Sequence, residues 1–402
     1  MTVTKILGWV IALALGIGVG VSSYGISNET RAPLKALATG MPPSGIASAN
    51  AALSSFAARR AQNQRVGVNA YELRLARDAY RAEPLAASAI ALHALSRTGK
   101  VETERQWSLI ELAGKLTRRS LLVNISIVEA AARRRDDRKS FAWISRTMLT
   151  QSNAAMAYGK AMAAATARDG AVEALTGVLG PSPRWSDLYW QLVLGQPDSY
   201  VNASRLRIAL ARAPWKQTGI EPTDRDLVRV LANVGKFDEA QQLAHTLRPV
   251  DIARGNLLTN GYFSADPSFP PFDWELSTLG NLGASIDKGN KQLVISAISG
   301  ASGSAVRQLV RLTPGNYRLK WSMTSNAPLP KSAISARIVC KEQTGTDALS
   351  FMTPLGAGRR HVNVKIPEGA CRWYLLTIDV ALPDDAMGVD IVITELSLTP
   401  AS

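Results

Sequence analysis

Two periodicities divide the chain. From about Asn50 to Arg248 apolar residues recur at helical spacing in a background of Ala, Leu and Arg; after Asp251 they alternate every second residue. The clearest helical segment is VLANVGKFDEAQQLAHTLRP, Val230 to Pro249. Leu231 and Val234 end one helix and Gly235-Lys236 makes the turn. Phe237, Ala240, Leu243, Ala244 and Leu247 then share one apolar face until Pro249 stops the second helix. Earlier stretches repeat this loosely. Glu83-Pro84 opens a helix with Leu85, Ala89 and Leu92, and Gly99-Lys100 makes its turn. Arg134 to Asp137 breaks before Phe141, Ile144 and Met148, and Asp169-Gly170 before Val172, Leu175 and Val178. In the last part Tyr317, Leu319, Trp321 and Met323 share one strand face and Arg318, Lys320 and Ser322 the other. His361, Asn363 and Lys365 alternate with Val362, Val364 and Ile366, and Val389, Ile391 and Ile393 belong to a final strand that reaches Leu398. The pattern predicts a multidomain α plus β chain: an N-terminal membrane helix, an α-solenoid of degenerate helix-turn-helix repeats, and a C-terminal antiparallel β-sandwich of the jelly-roll kind.

Ahead of these parts, Ile6 to Asn28 holds no charged residue, and Lys5 precedes it. A bilayer core takes roughly 20 apolar residues. The stretch reads as an uncleaved anchor with its N-terminus in the cytoplasm and the bulk of the chain outside it. The alternative is a signal peptide cleaved near Ser22–Ser23, which leaves a secreted or periplasmic protein. Arg31 to Asn50, rich in Pro, Gly, Ala and Ser, reads as a linker. The expected divisions are 1–28 anchor or signal segment, 29–49 linker, 50–250 helical repeats and 251–402 β-sandwich.

Charge separates the same parts. The chain carries a formal net charge of +14, and residues 45–250 hold 29 Lys and Arg against 18 Asp and Glu, whereas residues 251–402 hold 14 against 13. A basic middle favours anionic partners such as acidic glycans or lipid head groups. The run RRRDDRK, Arg133 to Lys139, reads as a solvated turn. Its own carboxylates offset it and no aromatics interleave for stacking, so no nucleic-acid partner is expected. Cys340 and Cys371 are the two cysteines; each sits at a strand edge, and a disulfide between them would fit an oxidising compartment.

The segment 230–249 resembles a tetratricopeptide repeat, with a Gly at the turn, a small Ala where helices approach and a Pro at the exit. Breaks spaced by about 34–35 residues are what such an array shows. The resemblance implies stacked units with a groove for a protein partner. In the last part NLLTNGYF, LVRLTPGNYRLKW and VDIVITELSL resemble the jelly-roll carbohydrate-binding modules appended to polysaccharide-degrading enzymes. In that family an acidic residue follows the first Phe and another sits in the last strand around a structural calcium. Here Ser264 follows Phe263 and only Glu395 remains, so neither metal nor cofactor is expected. Anchor, helical repeats and such a module together resemble envelope proteins of polysaccharide-producing proteobacteria.

Candidate chemistry is sparse. The three histidines, His93, His245 and His361, show no metal-ligand spacing, and no phosphate loop or nucleophile elbow occurs. Asp384-Asp385 reads as a turn. Asp273 and Glu275 are the nearest thing to a glycosidase pair. Five aromatics lie between Tyr262 and Trp274. Taking Cys340 and Cys371 as core-facing puts Trp373 inside and turns Tyr374 outward. Tyr262, Trp274 and Tyr374 are therefore the candidate glycan-binding rings. The expected role is a non-catalytic, envelope-anchored interaction protein in exopolysaccharide synthesis or export, its repeats docking a protein and its sandwich contacting glycan. The alternatives are a structural scaffold without sugar binding and a polysaccharide-active enzyme.

Overall fold

The computed structural model describes residues 3–29, 31–38, 44–63, 66–96, 104–118, 120–248, 255–330, 332–343, 350–369, 371–385 and 387–401. The expected turn at Gly99-Lys100 and the stop at Pro249 lie outside them. The helices are α1 (Val3–Asn28), α2 (Pro33–Leu37), α3 (Gly45–Gln62), α4 (Ala70–Ala82), α5 (Ala87–Leu95), α6 (Glu104–Leu116) and α7 (Leu121–Arg133). They continue as α8 (Asp137–Thr150), α9 (Ala155–Ala165), α10 (Ala171–Leu179), α11 (Ser186–Val193), α12 (Tyr200–Ala211), α13 (Pro222–Asn233) and α14 (Phe237–Leu247). By packing, the chain forms two compact units, Met1–Tyr189 and Trp190–Ser402.

In the first unit, α1 is the one helix among the described residues long and apolar enough to cross a membrane. Its window Ile11–Asn28 has a mean hydropathy of 1.4 and no buried share. The expected apolar faces hold at α8, where Phe141, Ile144 and Met148 are buried, and in α5, where Ala89 and Leu92 are. Leu85 departs from that expectation. It lies ahead of the helix and is 75% exposed. In α10 the buried face is Ala171, Ala174, Leu175 and Leu179, so Val172 and Val178 sit at its margins. Gly170 begins that helix with φ +76°, a left-handed backbone that glycine adopts without strain.

One electrostatic device occurs twice. Arg59 of α3 reaches Glu72 of α4 through Nε (2.9 Å) and Nη2 (2.6 Å) and also donates to the Gly67 carbonyl (2.8 Å). Glu72 is the third residue of its helix and completes a capping box with Asn69. In the second unit Arg207 of α12 grips Asp224 of α13 through Nε (2.7 Å) and Nη2 (3.1 Å) and donates to the Gln217 and Gly219 carbonyls (2.6 Å each). Asp224 likewise occupies the third position of a capping box, with Glu221. Each clamp joins one helix, the connecting loop and the first turn of the next helix. A carboxylate there also meets the positive end of the helix dipole. Burial opposes the charge on Glu72, but the bonds from Arg59, the Asn69 amide and Ser55 outweigh it and hold its carboxyl below the ordinary range.

The strands follow in the second unit. They are β1 (Glu275–Leu276), β2 (Thr278–Leu279), β3 (Leu282–Asp287), β4 (Gln292–Ala297), β5 (Ser302–Arg311) and β6 (Gly315–Ser325), then β7 (Ile334–Cys340), β8 (Ser350–Pro354), β9 (Gly358–Ile366), β10 (Trp373–Ala381) and β11 (Val389–Pro400). They form two antiparallel sheets, β1-β5-β10-β7-β8 and β2-β3-β4-β11-β6-β9. Leu293, Ile295, Leu319, Trp321, Leu376, Ile378, Ile391 and Leu398 face one another in the shared core. Cys340 and Cys371 form the expected disulfide, with Cα atoms 6.1 Å apart.

The expected phase of β10 is reversed. Tyr374 pairs with Cys340 across the ladder and lies with it in the core, 2% exposed. Trp373 faces the other way and is nevertheless buried, because Phe237 of α14 (5.8 Å between ring centroids) and Phe272 (5.5 Å) cover it. Cys371 precedes the strand, so alternation cannot be carried back to it. Asp238 of α14 adds ion pairs with Arg372 (3.5 Å) and Arg311 (3.7 Å) beside the rings. The apolar face of α14 is the one expected: Phe237, Ala240, Leu243, Ala244 and Leu247 are all buried.

Breaking the buried Arg207–Asp224 pair by Asp224→Ala should cost about 3–5 kcal/mol, since an unpaired guanidinium would remain inside. Denaturant unfolding checks this, and a loss below about 1 kcal/mol would show the clamp to be dispensable. Trp373→Ala should cost a similar ~3–5 kcal/mol, as expected for an aromatic removed from a packed site. Amide exchange in α14 should then rise with that in β10, because one ring holds both.

Candidate functional site

Alternation along β6 and β9 builds a polar surface on the six-stranded sheet. Tyr317, Leu319, Trp321 and Met323 point into the core, which turns Arg318, Lys320 and Ser322 outward. On the neighbouring edge strand Val364 and Ile366 point inward and Arg359, His361, Asn363 and Lys365 are exposed. The register places Ser322 opposite Arg359, Lys320 opposite His361 and Arg318 opposite Asn363. On the other side β11 sets Glu395, Ser397 and Thr399 against Ser322, Lys320 and Arg318.

Glu395 reaches this face because the ladder slips between Ile393 and Glu395. A bulge of this kind reverses the phase of a strand. Ile391 and Ile393 face the core before it, and Leu396 and Leu398 after it. The Glu395 side chain is 11% exposed and lies 2.7 Å from Lys320 Nζ and 4.0 Å from Arg359 Nε. The carboxylate thus pairs with Lys320, with Arg359 at the margin of its reach, while Arg318 and Lys365 stand exposed beside them. Guanidinium forks, an ammonium, amides and hydroxyls arranged in rows can bind carboxylates and hydroxyl groups together. None of the outward residues named here is Phe, Tyr or Trp.

The candidate rings lie elsewhere. Trp274 is fully buried against Phe263 (5.9 Å), and its indole N–H donates to the Asn260 carbonyl (3.1 Å). Tyr374 donates to the Cys371 carbonyl inside the core (3.4 Å). Tyr262 is 49% exposed, at the turn where Asn260 (φ +53°) and Phe263 (φ +52°) both take left-handed backbone. That conformation is costly for a Phe, and burial of its ring offsets the cost. The structure does not bring the three candidates together. Asp273 and Glu275 do not converge either: Asp273 accepts from the Ser268 and Trp274 amides (3.0 and 2.8 Å), and Glu275 is paired with Arg307 (2.7 Å).

Beside Asp273 a cleft of about 250 Å³ opens between α14 and the loop before β1, lined by His245, Arg248, Asn260, Ser264, Phe269 and Asp273 among others. Desolvation raises the Asp273 pKa against the opposing pull of the two amides and Arg248. Desolvation also lowers that of His245. Among the described residues no group of three or more His, Cys, Asp or Glu could hold a metal ion.

The basic face was visible in the sequence only as one side of an alternation. The signal that places Glu395 on it is the shift of apolar phase from Ile391 and Ile393 to Leu396 and Leu398.

No protein-family model matches the chain, and no curated protein matches it. Among solved structures it is similar to a family 4 carbohydrate-binding module, at 15% identity over 36% of this chain and 99% of that one, with a TM-score of 0.27. It is also similar to the family 61 module TmCBM61 in complex with beta-1,4-galactotriose, at 15% identity over 36% and 99%, TM-score 0.26. A third is the enzymatically active domain of bacteriophage CBA120 tailspike protein 4, at 17% identity over 36% of this chain and 21% of that one, TM-score 0.26.

The two titrations of the cleft oppose each other. A His held below its ordinary pKa contributes stability that is present above about pH 6.5 and lost as pH falls through the folded value. Asp273, held above its ordinary value, contributes stability that is present in acid and lost as pH rises through its folded value. His245→Gln should therefore lose less thermal stability than the wild type between pH 7.5 and 5.0. Equal losses in the two proteins would mean that burial of His245 carries no such cost.

Proposed function

We propose that the protein is a non-catalytic, envelope-anchored interaction protein whose β-sandwich contacts an acidic glycan and whose helical part docks a protein partner. The observation that carries the glycan reading is the strip of Arg318, Lys320, Arg359, His361 and Lys365 on the outer face of the six-stranded sheet, with Glu395 paired to Lys320 within it. Such a strip, without Phe, Tyr or Trp, suits a polymer with a carboxylate on successive residues, and Tyr262 is the exposed ring available to a neutral portion. In this reading α1 anchors the protein in an inner membrane with Lys5 on the cytoplasmic side, and the remainder lies in the periplasm. The disulfide supports an oxidising location. The helical part serves as a degenerate tetratricopeptide-like array, and the assembly belongs to exopolysaccharide synthesis or export. Burial of Phe263, Phe269, Phe272 and Trp274 favours a second reading, a scaffold whose sandwich binds no sugar.

The full chain in detergent should bind immobilised alginate, a polyuronate, in preference to dextran, and added salt should weaken the interaction. Arg318→Ala with Lys365→Ala should lower affinity at least about tenfold, which corresponds to ~1.4 kcal/mol. Both side chains are exposed and serve no core. Binding to neither polymer would favour the scaffold, and equal binding by the double variant would remove this face from the glycan reading.

A further inference from the structure

The first unit contains a trench that the sandwich chemistry does not use. Its first stretch, about 530 Å³, lies between α4, α5 and α6. Its floor includes Ala89 and Ile90, both buried. Its walls are Tyr80, Leu85, Leu112 and Leu116, which are 52%, 75%, 43% and 38% exposed. Leu85 and Leu116 also line the next stretch, about 690 Å³, which continues past Asn50, Ser88 and Gln151. The charged lining of the first stretch is of one sign among the described residues. Arg77, Arg81 and Arg105 stand on it with His93, and no Asp or Glu is among its described lining residues. Arg81 is shared with Asp78 at 3.5 Å, and both partners are largely exposed. A surface pair of this kind is worth little and yields to a competing carboxylate.

We propose that this trench docks an acidic amphipathic helix of a protein partner, with the partner's apolar face against Tyr80, Leu85, Leu112 and Leu116 and its carboxylates against Arg77, Arg81 and Arg105. The proposal rests on the reading that the helical part docks a protein. Three observations select this occupant. Arg77 and Arg81 stand at i and i+4 of α4, about 6 Å apart along the axis, and so match carboxylates at the same spacing on a second helix. Four exposed apolar side chains gathered along one groove form the kind of surface that a partner covers. An acyl chain needs enclosure on most sides, and walls 38–75% exposed do not supply it. A helix laid along the trench covers them, as amphipathic helices do in apolar grooves.

The test has two arms. In the first, the detergent-solubilised full chain is titrated into a fluorescein-labelled 18-residue helix with Leu on one face and Glu at i and i+4 beside it. Fluorescence anisotropy should report binding, and a counterpart with Lys for Glu should bind at least tenfold more weakly. Arg77→Glu with Arg81→Glu should weaken the acidic peptide at least tenfold. Both arginines are exposed, so the reversal leaves helix packing intact. Equal binding of the two peptides, or an unchanged double variant, overturns the proposal. Displacement of the peptide by submicellar dodecanoate as readily as by unlabelled peptide assigns the trench to a single-chain anion and also overturns it. In the second arm, a photoreactive benzoylphenylalanine replaces Leu112 or, outside the trench, Glu173 in cells expressing the full chain. A protein adduct from position 112 that the acidic peptide competes away supports the proposal. Adducts from position 173 alone overturn the trench and leave docking by the helical part standing. Adducts from neither position remove both.

Discussion

Cover over the Trp373 indole ties a helix to the outer face of the five-stranded sheet. Trp373 points away from the core, where a strand residue of an exposed sheet would meet water. Phe237 and Phe272 close over it instead, at 5.8 and 5.5 Å. Tilted and edge-on ring pairs add about 0.5–1.5 kcal/mol each to the burial itself. The packing seals this end of the five-stranded sheet and makes α14 part of the sandwich's own structural unit. The break in periodicity near residue 251 and the break in packing between Tyr189 and Trp190 therefore fall at different places. The outer face of the five-stranded sheet is covered at Trp373 and carries paired charges elsewhere, Arg307 with Glu275 and Arg337 with Asp379, whereas the cations of β6 and β9 stand on the outer face of the other sheet.

The helical part depends on a different interaction. Ala-rich helices bury little area per residue, so the geometry of their connections needs a further source of definition. Arg59 with Glu72 and Arg207 with Asp224 supply it, each tying a loop carbonyl, a capping carboxylate and the preceding helix into one network. A pair as deep as Arg207 with Asp224 stabilises only while both partners are present. The same reliance on arginine leaves the surface strongly positive. Arg77 and Arg105 carry that charge to the lining of an apolar trench.

On the sandwich, the bulge in β11 brings polar chemistry onto the face. It turns Glu395 outward, where it pairs with Lys320 and comes within 4.0 Å of Arg359. The carboxylate offsets part of the repulsion among cations that the register of β6 and β9 sets in rows. Arg318 and Lys365 stand exposed to another anion.

By itself the sequence determined the alternation of two periods, the apolar face of α14, the turn at Gly235 and the N-terminal helix without charge after Lys5. It also indicated the disulfide partners and the inward course of Leu319, Trp321 and Met323. These are properties of near neighbours along the chain, and each is written in the spacing of side chains. Tertiary structure alone decided that Tyr374 lies inside and Trp373 beneath a helix, that Trp274 is closed off by Phe263, and that Glu395 stands among cations. It also brought together the walls of the trench from α4, α6 and the turn before α5. The physical reason is common to all of them. Alternation states that successive side chains point oppositely, but only the packing of distant segments determines which of the two directions leads to water.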